Sequence, residues 1–398
     1  MPYSPSFALE KKTGITPWVV ALVAVACYGI FLAIRVVVAG KGNVASLIIL
    51  GHSYVNSPLL PIKHLPQIPG AGYDGQFYFR LALDPFDLKR SALGITFDTP
   101  YRPSRIGYPI LVFLLAGTDK GLVPASMVYT NILAIGATAL VGSYLAANSK
   151  ISPWWGLLLA GYFGFTYSVG RDLTEVSGTA FVLAGLLFIR KEKWLLGTAA
   201  FCYAVITRET ATLVVFGIGL YWLWCHRYVL SPRNKMVQSP FPSYIWIAPA
   251  FTYIGWGIVT YLNVHQVGIR SDLAANLYFP LASPIEALAS RLSNLNNTAS
   301  ILWLGQAAVW ATTQALAAVQ YRHSTAKPWE KITWIVTAVI SLSLSSEIWG
   351  NTNYLRSVSL AWVMAIIILW DSRPTRRFLG AVSSIAWTVS TLPLLLFL

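Results

Sequence analysis

The stretch Gly72-Tyr73-Asp74-Gly75-Gln76-Phe77-Tyr78-Phe79-Arg80-Leu81-Ala82-Leu83-Asp84-Pro85 sets one acid between two glycines, ahead of an aromatic segment. The glycines permit a tight entry to a short amphipathic helix, and Pro85 ends it. On that helix Asp74, Tyr78 and Leu81 share a face. A carboxylate at Asp74 can take a proton from an attacking hydroxyl. It can equally cap the helix. Asp84, just before Pro85, also reads as a turn residue. Arginines and acids recur together further on: Arg102 and Arg105 around Pro103, Arg171-Asp172-Leu173-Thr174-Glu175, Arg208-Glu209, and Arg356. Guanidiniums hold phosphate bidentately. The set therefore suits a phosphate-bearing ligand beside a proton acceptor. Plainer readings stand beside it. Arg171 and Glu175 are spaced for an i,i+4 ion pair, Arg102 and Arg105 for headgroup anchoring, and Arg35 for snorkelling.

The elements that must position these groups are apolar. Of 398 residues, 56% are hydrophobic and 11% charged, and mean hydropathy is +0.58. Soluble proteins carry roughly a quarter of their residues charged. That excludes a soluble enzyme, a disordered regulator and a collagen-like rod, and leaves an all-α polytopic membrane protein. The net charge of +14 reads as basic residues gathered in cytoplasmic loops, so no nucleic acid is expected. Cys27, Cys202 and Cys225 lie at unrelated spacings, and the five histidines form no HxxxH pair. Neither disulfides nor a zinc site is expected.

Apolar runs occur at Ile15–Ala39, Ile106–Gly117, Leu122–Ala147, Pro153–Val169, Val176–Ile189, Trp194–Ile206, Thr210–Trp224, Tyr244–Leu262, Ile301–Val319, Ile332–Leu344, Val358–Trp370 and Phe378–Leu398. The first, behind Lys11 and Lys12, reads as an uncleaved signal anchor with a cytoplasmic N-terminus. Ile106–Gly117 is short: twelve residues reach about 18 Å of a ~30 Å hydrocarbon core. If it lies flat, the alternating loops on the N-terminal side hold 15 Lys/Arg, against five in the short loops opposite. If it spans, that bias inverts. The positive-inside rule then gives about eleven transmembrane helices, with a long outer loop bearing interfacial helices. Eleven of the fifteen acids fall on the outer side or its boundary, where ionisable groups are functional candidates.

Four elements in order resemble GT-C class integral-membrane glycosyltransferases, and more narrowly a bacterial cell-surface glycopolymer formation family. They are Gly72–Asp84, Tyr101-Arg102-Pro103-Ser104-Arg105-Ile106-Gly107-Tyr108-Pro109, Arg171–Glu175 and Thr207-Arg208-Glu209-Thr210, with Asn353-Tyr354-Leu355-Arg356 beyond them. The resemblance implies a sugar moved from a polyprenyl-phosphate or diphosphate carrier to an acceptor hydroxyl, usually with inversion. The acceptor would be a glycan, lipid or protein. Asp74 matches the family's general base. Tyr78, Arg80, Asp84, Arg102, Arg105, Arg171, Asp172, Glu175, Arg208, Glu209, Tyr354 and Arg356 are the expected substrate contacts. No cofactor is implied, although some members bind a divalent cation. The acids Asp74 and Asp84 are not adjacent as in some subfamilies, which leaves Asp84 without an assigned role. The expected site is extracytoplasmic, in a bacterial inner membrane.

Residues 1–225 are expected to form the catalytic transmembrane module, including the outer loop 40–121. Residues 226–398 would shape carrier and acceptor grooves. Two other readings also explain polar groups in a membrane chain: a transporter or flippase of lipid-linked sugars, and a non-catalytic glycan-assembly subunit. A transporter would carry charge along a path across the bilayer in alternating-access halves.

Overall fold

Every apolar run is helical. The computed structural model describes residues 16–226, 240–265, 276–370 and 373–396, with the side chains of 352–354, 373–377 and 392–396 outside that description. Lys11, Lys12, Arg227, Arg233, Lys235, Arg270, Asp272 and Asp371 lie outside the described residues. The helices are α1 (Pro17–Val38), α2 (Gly75–Leu83), α3 (Gly107–Ala116), α4 (Val123–Asn148), α5 (Trp155–Ala160), α6 (Phe163–Val169), α7 (Glu175–Arg190) and α8 (Trp194–Thr207). They continue as α9 (Ala211–His226), α10 (Tyr244–Val264), α11 (Ala282–Leu292), α12 (Thr298–Gln320), α13 (Pro328–Leu342), α14 (Ser346–Trp349), α15 (Ser359–Leu369) and α16 (Arg373–Leu396). By length and composition three described helices can each cross a membrane: Pro17–Val38, Lys120–Asn148 and Tyr244–Val264. Several others are apolar but shorter.

Helix α15 is apolar all round, and every one of its residues is buried. Such a helix belongs at the centre of a bundle, and α12, α13, α5 and α7 surround it. Around them pack α1 on α4, α4 on α7, α7 on α8, α8 on α10 and α9 on α13. Lipid offers no hydrophobic gain for joining helices, so close packing must supply it. At Gly217 of α9 an added Cβ would lie 2.6 Å from the Cα of Thr333 on α13. One apolar core draws on helices from α1 to α16, so the expected modules 1–225 and 226–398 share it.

The run Pro153–Val169 is two helices rather than one. Tyr162 breaks it with an extended backbone. The buried Tyr162 hydroxyl donates to the carbonyl of Leu355 at 2.6 Å, and its ring packs near Trp362. A straight helix would carry that ring past the turn before α15, so the tertiary contact overrides helix continuity.

Residues 40–122 fold around a second core, which includes Ile48, Leu50, Phe77, Phe79, Leu81, Ile95, Phe97 and Leu173. Two minimal sheets pin it: Leu50–Gly51 (β1) parallel to Gln67–Ile68 (β2), and Ser91–Ala92 (β3) antiparallel to Ile95–Thr96 (β4). Helix α2 runs through its middle with every residue buried. This corrects the amphipathic reading. The aromatic residues Phe77, Tyr78 and Phe79 fill the core of the segment 40–122. Arg35 is corrected likewise. It is fully buried and does not snorkel; its Nε donates to the carbonyl of Gly170 at 3.0 Å, tying α1 to the turn before α7.

Helix α7 has a charged cluster at each end, Glu175 at its first residue and Arg190 at its last. About 22 Å of apolar helix separates them. At the Arg190 end, the guanidinium binds both oxygens of the buried Glu330 at 2.6 Å. It also donates to Ser149 and lies over Trp370. Glu330 further accepts the Lys327 N–H that opens α13. The far ends of α4, α7 and α15 are thereby fastened to the start of α13.

Candidate functional site

The first residue of interest is the one with two readings. Asp74 stands at the N-cap position of α2, yet its backbone is helical and its side chain makes no cap hydrogen bond. Its carboxylate turns to three guanidiniums. Arg102 lies at 2.9 Å, Arg356 at 3.2 Å and Arg105 at 4.0 Å. Burial alone would raise its pKa, but Arg102, Arg356 and Arg105 outweigh burial and hold the carboxyl well below the usual range.

Each partner arrives on a different element. Arg102 and Arg105 lie on a short 3-10 turn, Arg102–Arg105, ahead of α3. Arg208 and Glu209 form the turn between α8 and α9. Glu175 opens α7, and Arg356 lies on the 3-10 turn Thr352–Val358 before α15. Two glycines let these backbones meet. A Cβ on Gly75 would fall 2.5 Å from the carbonyl of Arg171, and one on Gly164 would fall 2.8 Å from the Cα of Arg356. The helix break at Tyr162 serves the same end, since α6 brings Gly164 against Arg356.

The ion pairs form one connected network. Arg105 grips both oxygens of Glu209, at 2.6 and 2.5 Å, and donates to the Tyr78 hydroxyl at 2.7 Å. Arg208 reaches Glu175 at 3.2 Å and Glu209 at 3.6 Å. Arg356 donates to Glu175 at 2.8 Å, to the Tyr73 hydroxyl at 2.7 Å and to Asp74. The Arg105 and Arg208 charges outweigh burial at Glu209 and lower its pKa. The i,i+4 pair of Arg171 with Glu175 does not form. Glu175 faces Arg208 and Arg356, and Arg171 lies over the Tyr73 ring at 4.4 Å.

Of the residues expected at the site, Asp74, Tyr78, Arg102, Arg105, Glu175, Arg208, Glu209 and Arg356 come together, with Arg171 adjoining through Tyr73. Three others serve the scaffold. Arg80 is buried over Phe97 and donates to the carbonyls of Arg90, Asp87 and Lys89. Asp84 accepts the N–H of Phe86 at 3.1 Å, a turn contact. Asp172 is buried behind the turn, reached by Asn131 at 3.5 Å. The side chain of Tyr354 lies outside the described residues.

Sequence reasoning missed Tyr73 and Asp98. Asp98 holds Arg102 bidentately at 2.7 Å and precedes it by four residues, a spacing that was there to be read. Tyr73 had only its adjacency to Asp74.

A cavity of about 480 Å³ opens on this network. Its lining combines Asp74, Arg102, Arg105, Arg208, Glu209, Glu347 and Arg356 with Leu213, Leu277, Leu344 and Ile348. A lining of guanidiniums and apolar side chains suits an amphipathic ligand with an anionic head. A larger cavity, about 530 Å³ between α1, α5 and α16, has no charged side chain in its lining. Arg102 Nη1, Arg171 Nε and Nη1, and Arg208 Nη1 are buried and make no hydrogen bond within the protein. These are donors only, so oxygen-rich anions satisfy them. Asp74, Asp98, Glu175 and Glu209 each already face a guanidinium, and no group of three metal-ligating side chains occurs among the described residues.

Asp172 carries a testable pH effect of its own. Burial pushes its carboxyl up to about 8, against the Asn131 hydrogen bond and the Arg35 charge. The folded state therefore binds a proton that the unfolded state has released. The stabilisation is full below the unfolded value of 3.8 and is lost as pH rises through about 8. Melting temperature is expected to fall from pH 5 to pH 8.5, with a shallower slope in Asp172→Asn. Parallel slopes for both proteins would refute this.

Set against known family models, curated proteins and solved structures, the chain matches none.

Proposed function

We propose that this chain is a membrane glycosyltransferase that moves a sugar from a polyprenyl-phosphate donor to an acceptor hydroxyl. One observation carries the reading. A carboxylate in the cap position of a buried helix leaves the cap unmade and faces guanidiniums at one end of an apolar bundle. Buried ion pairs add little stability by themselves, so a network of this size at a cavity is better explained by a ligand than by folding.

In this mechanism Arg102, Arg208 and Arg356, which line the cavity, hold the donor phosphate, and the prenyl chain lies along Leu213, Leu277, Leu344 and Ile348. Asp74 accepts the proton of the acceptor hydroxyl as its oxygen bonds to the anomeric carbon. The anomeric carbon–phosphate oxygen bond breaks, and its electron pair leaves with the phosphate. The donor's single negative charge becomes two on the released prenyl phosphate, and the proton remains on Asp74. The guanidiniums stabilise the extra charge as it develops. Attack opposite the leaving group inverts the anomeric carbon.

The placement in the cell belongs to the same proposal. Eleven helices span a bacterial inner membrane, α3 lies at the outer interface, and the Asp74 end faces outward. Charge supports one-sided chemistry over transport: between Glu175 and Arg190, α7 holds no ionisable residue. The test is reconstitution with a panel of polyprenyl-phosphate sugars and candidate acceptors. Acceptor-dependent release of prenyl phosphate with an inverted product is expected. Transbilayer movement of intact donor without bond cleavage would replace the enzyme by a flippase.

A further inference from the structure

We propose that Asp74 and the ligand's phosphate compete for the same guanidiniums, so that anion binding converts Asp74 from a counter-ion into a base. The inference rests on the glycosyl-transfer reading for what the base then does, but not for the competition itself.

The geometry supplies the argument. Arg356 is shared between two acids, Glu175 at 2.8 Å and Asp74 at 3.2 Å. Arg102 is shared between Asp98 at 2.7 Å and Asp74 at 2.9 Å. Arg102 holds Asp98 through two nitrogens and Asp74 through one, and Arg356 is divided between its two acids. The groups facing Asp74 are Arg102, Arg105 and Arg356, and the Tyr78 hydroxyl is engaged by Arg105. Among the described residues no other side chain holds the Asp74 carboxylate once these turn away.

A carboxylate with three cationic neighbours is a weak proton acceptor, because each of them favours the charged form. With Asp74 held in this way, the arginines suppress the chemistry that the base is meant to perform. A phosphate entering the cavity brings its own charged oxygen acceptors to the same donors. The side-chain carboxylates occupy the donors in its absence and yield them when it arrives. As Arg356 and Arg102 move their hydrogen bonds to phosphate, Asp74 loses counter-charge and gains basicity beside the bound donor. This ordering protects the site from idle proton exchange and makes the acceptor's activation conditional on the donor.

Competition has an unusual signature: removing an acid of the site tightens anion binding. The measurement is titration of full-length protein in detergent with farnesyl phosphate, and separately with inorganic phosphate, at fixed pH and ionic strength. Asp74→Asn keeps the shape and removes the competing charge. It is expected to bind farnesyl phosphate about tenfold more tightly than wild type. Glu175→Gln, which frees the other side of Arg356, is expected to do the same and carries the test if Asp74→Asn fails to fold. Asp84→Asn changes net charge equally but lies outside the network, so its affinity stays at the wild-type value. Unchanged or weaker binding in both site variants would overturn the proposal. So would an equal gain in Asp84→Asn, since net charge alone would then explain it, and so would absence of binding to any of the proteins. Tighter binding in a protein that transfers no sugar would uphold the competition and remove the glycosyltransferase reading.

Discussion

Asp74→Asn is expected to lower sugar transfer by about 10²–10⁴-fold, the range that a positioned general base contributes, while the protein stays folded. The asparagine side chain still reaches Arg102 and Arg356 but cannot take up the acceptor's proton. Asp74→Glu keeps a carboxylate and displaces it by one methylene, so partial activity is expected. The pH profile distinguishes a base from a mere counter-ion. Arg102, Arg356 and Arg105 hold the Asp74 carboxyl below the usual range in the free protein. The acid limb of kcat/KM for the donor, which reports the free enzyme, therefore lies below the ordinary carboxylate range. The limb of kcat reports the complex, and it moves upward as the arginines turn to phosphate. A wild-type profile retained in Asp74→Asn, at comparable rates, would remove Asp74 from the chemistry and direct attention to Glu175.

Sequence pattern carried the bundle well and the segment 40–122 poorly, for physical reasons. Apolar runs specify helices because backbone groups in a membrane must be satisfied within the segment, and each run is helical. The break at Tyr162 was hidden, since it depends on a hydroxyl reaching a carbonyl 193 residues away. Helix α2 was misread because its aromatic residues suit an interface and a core equally. Only the surrounding fold of residues 40–122 decides between them. Arg35 looked like a snorkelling residue near a helix end, but its acceptor is a carbonyl 135 residues further along.

The site itself was legible as a set of residue types and illegible as pairings. Arginine and acid side chains at the ends of short apolar runs pointed to one polar layer. Adjacent positions suggested Arg171 with Glu175, whereas the fold gives Glu175 to an arginine 181 residues distant. Arg80 and Asp84 shared the Asp74 segment and were drawn in by proximity. Helix α2 carries Arg80 to the carbonyls of Asp87, Lys89 and Arg90 instead. In each case the type of side chain was informative, and its partner was set by packing that local spacing does not encode.

The second large effect concerns the most shared residue of the network. Arg356 and Glu175 are 3% and 2% exposed, and Arg356 also holds Tyr73 and Asp74. Arg356→Gln leaves Glu175 with Arg208 and the Ser168 hydroxyl and loosens Asp74 at the same time. Breaking a buried pair from one side costs about 3–5 kcal/mol, because the stranded charge is uncompensated. A marked fall in melting temperature is therefore expected alongside loss of transfer. The two effects separate in the double variant Arg356→Gln with Glu175→Gln. With both charges gone the pair strands neither of its own members, although Arg208 keeps only Glu209 at 3.6 Å, so part of the stability is expected to return. Activity is not expected to return, because the guanidinium that meets the phosphate is still missing. A double-mutant cycle on stability then gives a coupling of about 1–3 kcal/mol, as residues in one network do. If the double variant were as unstable as the sum of the singles, Arg356 and Glu175 would be independent. The charged layer would then be a set of separate anchors rather than one site. Recovered stability without recovered transfer is the outcome that ties this network to a ligand, since a purely structural ion pair would be dispensable once both its charges were removed.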